Sequence, residues 1–418
     1  MNFLQFFVWG AWMITLGSYG SGEKGWTGEE FGIVFSTMGI ASLIMPTLFG
    51  ILADKWKANY VYAILHLLFG ATMLMLPGID SPMTFFWVLL LAMSFYMPTI
   101  GLTNSISFRV LKDEGKDPVA DFPPIRVWGT IGFIAAMWVT NLASSPRVLG
   151  FDLSISFKIA AVVAFVQGIY SLLVLPQITT EKKETDEKQT FIQRMGLEAF
   201  VLFKQPQMAL FFLFSLLLGA ALQLTNAYGD LFLQDPTVFA KGGLINNFST
   251  IILSVSQISE TLFILAIPFF MKRFGIKRVM FFSMIAWTLR FGLFGMADNT
   301  IWGFVLIIAS NVIYGMAFDF FNISGALYVE QNTSESIQSS AQGLFMLMTN
   351  GVGAIMGSVV AGRVITNWFE TPQIIEGQEE LVRNWPGIWM TFAAYSLVVG
   401  ILFLIFFKYE HKPEEQMT

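Results

Sequence analysis

Polar and ionisable side chains recur at helical spacing inside stretches of the chain that are otherwise apolar. In WGFVLIIASNVIYGMAFDFFNISGALYV, Asn311, Gly315, Asp319 and Asn322 follow steps of four, four and three, which puts them on one helix face. Gln223, Asn226 and Asp230 repeat the pattern, Ser256 and Gln257 each precede Glu260 by one turn, and Arg126, Thr130 and Phe133 form another stripe. Gln5, Trp9 and Trp12 make a fifth. A charge in hydrocarbon is costly and is expected to face protein or water, so these faces imply a wet cavity lined by amides, acids and aromatic rings. Asn and Gln donate and accept at once, which suits a neutral solute with several hydrogen-bonding edges, such as a nucleobase. A planar ring also suits stacking on Phe133, Trp9 or Phe321. An acid in a low-dielectric cavity resists ionisation and can load and release a proton near neutral pH. Glu260 and Asp319 are the candidates, and Asp319 is the single formal charge between Ile301 and Val329. Approach of Arg126 or Arg290 would reverse that preference, and the sequence leaves open which acid meets which arginine.

Plainer readings stand beside these. Amides and hydroxyls in membrane helices also act as interhelical glue, at roughly 0.6–2 kcal/mol each, and Ser256 fits that role well. Trp9 and Trp12 could simply pack. Arg290 lies in a span without a polar stripe, where it pairs with an acid or snorkels, and His66 reads as a packed, hydrogen-bonded ring. Asp319 itself could serve only to anchor an arginine.

The elements that position these residues are membrane spans. Of 418 residues, 55% are hydrophobic and 13% charged, and the mean hydropathy is +0.63; soluble chains carry nearly twice that charged fraction. A span needs about 20 mostly apolar residues, and twelve candidates result: 3–20, 31–53, 58–78, 82–108, 124–143, 154–176, 207–229, 247–270, 277–296, 301–329, 338–364 and 386–407. The first imitates a signal peptide, but it lacks a basic n-region and reads as a span. TTEKKETDEKQT, Thr179–Thr190, has no apolar content and cannot form a core; Gly196–Phe203 then reads as a short amphipathic helix. The expected organisation is a six-helix bundle over 1–178, a cytoplasmic linker over 179–206, and a second six-helix bundle with a tail over 207–418. Basic turns at GILADKWKANY and PFFMKRFGIKRVM occupy matching places in the two halves, a faint internal repeat of the kind alternating access uses. With both termini cytoplasmic, sixteen Lys and Arg fall on the cytoplasmic side and six on the other, which favours that orientation.

Composition also excludes. With no Cys and only His66 and His411, disulfides, thiolate chemistry and multi-histidine metal sites are ruled out. A formal charge of −5 without a basic block argues against nucleic acid as a partner. Glu260 and Asp319 could act as acid and base in a membrane enzyme, but no Ser-His pair, metal cluster or phosphate loop accompanies them. The reading is a transporter and not an enzyme, with no cofactor and no obligate protein partner beyond the lipid bilayer. A purely structural or receptor role is a further, weaker alternative.

Four long runs, FPPIRVWGTIGFI from Phe122, LLGAALQLTNAYG from Leu217, SQISETLFILAIPFF from Ser256 and YGMAFDFFNISG from Tyr314, resemble the nucleoside:proton symporter family. That family is a branch of the major facilitator superfamily in bacterial inner membranes, and the resemblance runs from about Phe3 to Tyr409. It implies an all-α polytopic fold of twelve transmembrane helices in two six-helix bundles, cytoplasmic termini, and uptake of purine and pyrimidine nucleosides with the proton as coupling ion. It further implies a substrate site of Gln223, Asn226, Gln257, Glu260, Phe318 and Asp319 with Arg126, Thr130 and Phe133. The alternative is a proton-coupled carrier of a sugar or other small polar solute, since sugars use the same donors and acceptors; a drug exporter would have a more apolar cavity. The segment SYGSGEKGWTGEEFG departs from the family's more apolar continuation, so span one is expected to end early.

Overall fold

The computed structural model describes residues 1–176, 197–334, 337–375 and 378–409. The charged stretch Thr179–Thr190, the start of the expected amphipathic helix at Gly196, and His411 lie outside the described residues. Among the described residues, ten helices are long and apolar enough to cross a membrane. The run Ser249–Gly295 holds two of the expected spans, because Gly275 at φ 73° and ψ 167° breaks it. That backbone region is essentially open to glycine alone. The interrupted segment from Asn2 to Glu23 adds another crossing, so the described residues make twelve crossings.

The first half contains α1 (Asn2–Gly10), α2 (Gly28–Phe35), α3 (Thr37–Lys55), α4 (Ala58–Met75), α5 (Pro82–Asp113), α6 (Pro118–Ser144) and α7 (Ile155–Leu173). Here α4 packs on α5 and α7, α3 on α5, and α1 on α6. The second half contains α8 (Pro206–Gln234), the short α9 (Leu244–Asn247) and α10 (Ser249–Leu253), then α11 (Val255–Gly295), α12 (Ile301–Asn332), α13 (Gln338–Met346), α14 (Ala354–Trp368) and α15 (Trp385–Phe406). In this half α11 packs on α12 and α15, and α8 on α14. The helices start where local chemistry says they should. Pro82, Pro206 and Pro386 occupy first-turn positions that need no N–H, while Thr27, Ser81, Thr300 and Asn384 supply side-chain caps.

One local expectation is corrected and two local features are added. Span one does not end early: α1 gives way to turns and then to a π-helical stretch, Ser18–Glu23, that carries the chain onward. Gly17, just before it, marks a close helix crossing, since a Cβ there would run into the Ala227 carbonyl of α8. The amphipathic segment before Pro206 is a 3₁₀ helix, Leu197–Lys204, with Ala199 and Leu202 buried and Phe200 exposed. Between the last two spans the chain forms an antiparallel hairpin of β1 (Glu370–Ile375) and β2 (Gln378–Arg383), which the hydropathy pattern did not suggest.

Contacts between the halves concentrate toward the hairpin face. There α14 packs on α2, Ser18–Glu23 on α8, and α10 on α6. Gly28 and Gly32 of α2 meet Ser358 and Gly362 of α14 so closely that a Cβ at Gly32 would strike the Ser358 carbonyl. Small residues four apart let two membrane helices touch backbone to backbone.

Candidate functional site

A cavity of about 900 Å³ lies between the halves, at the upper end of the size usual for small-molecule sites. Its walls include Phe6, Trp9 and Met13 from the first span, Arg126, Thr130 and Phe133 from α6, and Gln223 and Asn226 from α8. Gln257 and Glu260 of α11 and Tyr314 and Phe318 of α12 complete the middle. The cavity reaches Phe200, Ser340 and Gly343 at the linker end. At the hairpin end it is sealed by hydrogen bonds that cross the halves. Ser18 donates to Asp230 at 2.5 Å, Trp138 donates to Ser254 at 2.9 Å, and Asn141 donates to the Asn247 carbonyl at 3.1 Å.

Eight of the nine expected site residues line this cavity: Arg126, Thr130, Phe133, Gln223, Asn226, Gln257, Glu260 and Phe318. Asp319 is the exception. Its side chain is buried at 5% exposure behind the wall, with Oδ2 meeting no hydrogen-bond partner among the described residues. The polar stripe of α12 faces its neighbour helices and not the solute space. Asn311 donates to the Ile252 carbonyl at 3.3 Å, and Gly315 lies against the backbone of Ser259 and Glu260. The cavity face of α12 is aromatic instead, with the Tyr314 and Phe318 rings stacked 5.9 Å apart at 4°. Asp230 also stands outside the cavity, wholly buried and accepting from Ser18, Gln234 and Ser249 at 2.5–2.8 Å.

Several plainer readings hold. Gln5 is internal glue, donating to Thr99 at 2.8 Å and accepting from Tyr62 at 2.6 Å. Ser256 bonds the Leu253 carbonyl within its own turn. His66 is fully buried with Nδ1 at 2.9 Å from the Tyr62 carbonyl, and Trp12 packs at zero exposure while Trp9 reaches the cavity. Arg290 neither snorkels nor shows an acid partner among the described contacts. At 1% exposure it donates to the Ser310 carbonyl at 2.8 Å and lies 4.5 Å over the Tyr314 ring. It therefore braces the aromatic wall from behind.

The charges of the site are few. Arg126 lies 4.0 Å over the Phe6 ring, which orients its guanidinium, and it is within Coulombic reach of Glu260. Glu260 is in turn within Coulombic reach of Asp319. One cation and two carboxyls thus interact electrostatically, and with the guanidinium positive a single proton on the carboxyls brings the trio to neutrality. Tyr314, Ser42, Met97 and Asn350 also line the cavity, and sequence reasoning missed them. Tyr314 was open to discovery, because it precedes Phe318 by one helical turn.

A twelve-span, two-bundle fold closed at one end around a polar and aromatic cavity defines a solute carrier of the major facilitator type. Peptide transporters of the POT family share this fold alone, at a TM-score of 0.70 and 14% identity over 96% of this chain and 92% of theirs. The chain belongs to the nucleoside H+ symporter family, which it matches over residues 1–412. It is 46% identical to the xanthosine permease of Escherichia coli K12 over 99% of this chain and 96% of that protein. It is also 46% identical to the nucleoside permease NupG of the same organism, over 98% and 95%. A crystal structure of a NupG mutant superposes at a TM-score of 0.89, with 46% identity over 97% of this chain and 98% of that one. The chain is therefore a multi-pass inner-membrane transporter for proton-coupled nucleoside uptake, and not an enzyme.

Proposed function

We propose that the chain accepts both purine and pyrimidine nucleosides and moves each inward with one proton. The observation that carries this reading is the pairing of amides with flat aromatic faces in one cavity. Gln223, Asn226 and Gln257 can each donate and accept, so they can follow different base edges and ribose hydroxyls. Phe133, Phe318 and Trp9 offer stacking surfaces that tolerate either ring size. Arg126 and Thr130 bind from the opposite wall.

Glu260 and Asp319 are the proton-coupling acids, titrating as a pair. Glu260 meets the solute directly, while Asp319 acts from behind the wall through Glu260 and the backbone of α12. With Arg126 present, one added proton removes the net charge that closure would otherwise bury. Proton and nucleoside are then required together for the cavity to change sides. The moving units are the bundles 1–178 and 207–418, joined by the linker 179–206, with the N- and C-termini cytoplasmic. In that orientation the cavity is open inward and the hairpin lies outside.

The test is radiolabelled uptake of uridine, adenosine and a hexose into proteoliposomes with and without an imposed pH gradient. Accumulation of both nucleosides only with the gradient supports the proposal. Uptake of one base class alone, or of the hexose, overturns it.

A further inference from the structure

The hairpin end of the molecule contains a helix cap supplied by the opposite half. The first-turn amides of a helix have no partner within it, and at α2 each has a side-chain acceptor. Thr27 of the same half accepts from Glu30 at 3.2 Å. The other two acceptors come from the second half: Thr366 Oγ1 accepts from the Glu29 amide at 2.8 Å, and the Glu370 carboxylate accepts from the Gly28 amide at 3.0 and 3.1 Å. Thr366 also donates to Glu370 at 2.9 Å, so the two acceptors are locked to each other.

Glu370 also has partners within its own half. Arg383, its partner across the hairpin, donates to it at 2.9 Å, with side-chain exposures of 5% for Arg383 and 2% for Glu370. Arg383 also donates to the Trp26 carbonyl at 3.3 Å. The ion pair stays within the second half, whereas the bonds to Gly28, Glu29 and Trp26 run between halves. Separating the halves at this end therefore breaks the cap and leaves the ion pair intact. A carboxylate at a helix N-terminus gains from both the free amides and the helix dipole, and water can take its place when the halves part. That makes the contact strong enough to hold and weak enough to release.

We propose that Glu370 and Thr366 are gating residues of the transport cycle, forming a reversible cap on α2 that latches the hairpin end shut while the cavity is open at the linker end. Glu370 is the charged member, Arg383 its positioning residue, and Thr366 the bridge between them.

The natural absence of cysteine makes the test direct. Ser21 is 4% exposed at the closed end, and Gly343 lines the open end with free space where a Cβ would stand. S21C and G343C are introduced separately in the purified full-length protein, and their maleimide labelling rates are compared with and without T366V or E370Q. Loss of a cap shifts a two-state balance by about two- to thirtyfold, so T366V is expected to raise S21C labelling by a factor in that range and to lower G343C labelling. In proteoliposomes the same variant should lower the apparent KM for nucleoside on the hairpin side together with Vmax, because more carriers wait open on that side. An unchanged S21C rate in T366V overturns the proposal. So does a rise at both reporters, which would signal general loosening. T366V removes one hydroxyl and leaves the ion pair in place, so the test stands even if E370Q fails to fold. Labelling in detergent does not depend on which nucleoside is carried, so its failure is separate from failure of the substrate reading.

Discussion

Phe318 and Asp319 are neighbours in the chain yet serve different surfaces. Adjacent helix positions point about 100° apart, so once Phe318 stacks on Tyr314 at the cavity wall, Asp319 must turn toward the neighbouring helices. This separation shapes the expected phenotypes. Asp319→Asn should bind nucleoside and exchange it across the membrane but lose accumulation driven by a pH gradient, as read by counterflow and by gradient-driven uptake in proteoliposomes. Wild-type accumulation by that variant would remove Asp319 from the coupling role. Glu260→Gln should differ, because Glu260 lines the cavity; nucleoside affinity is expected to fall along with coupling. Gln223→Ala and Asn226→Ala should each weaken binding by about 1–3 kcal/mol where a buried partner is left unpaired, measured by calorimetry on purified protein. Wild-type affinity in both would return these amides to interhelical glue.

At the scale of elements, glycine decides more than hydropathy does. Gly275 separates two spans that otherwise run as one continuous helix. Gly275→Ala should cost about 1–3 kcal/mol of stability from backbone strain alone, seen as a lower thermal midpoint in detergent without a change in nucleoside specificity. Gly28 and Gly32, glycines of the segment that looked out of place after span one, are where α2 meets α14, and Gly17 just before that segment is where the first span meets α8. The sequence showed their abundance but not their partners, because a close helix crossing involves residues hundreds of positions apart. The hairpin was equally hidden. Its strands alternate too weakly to stand out beside two long apolar spans, and Glu370 and Arg383 read as ordinary loop charges until pairing buries them together.

Across the whole molecule, the excess of basic residues on one side predicts an orientation that two substitutions can check. Ile374, 82% exposed at the hairpin, and Glu114, exposed in the loop after α5, lie at opposite ends. I374C is expected to react with an impermeant maleimide applied to intact cells, and E114C only after the membrane is opened; the reverse pattern would invert the topology. Thr185 and Gln416, which the basic asymmetry also assigns to the cytoplasm, lie outside the described residues. By itself the sequence determined the number of crossings, the helical class and, by spacing, seven of the expected site residues on the cavity wall; Phe318 came from the family resemblance. Those depend on local quantities: the length of an apolar run, and the angle between positions on a single helix. Tertiary structure decided which stripe faces solute and which faces protein, because a helix pattern gives relative angles but no absolute rotation. Only packing set that rotation, turning Asn311 to the Ile252 carbonyl of α10, Gly315 to the backbone of α11 and Asp319 into the protein, and leaving Tyr314 and Phe318 for the cavity. The closed end was decided the same way, since capping α2 with Glu370 joins residues 342 positions apart that no local pattern relates.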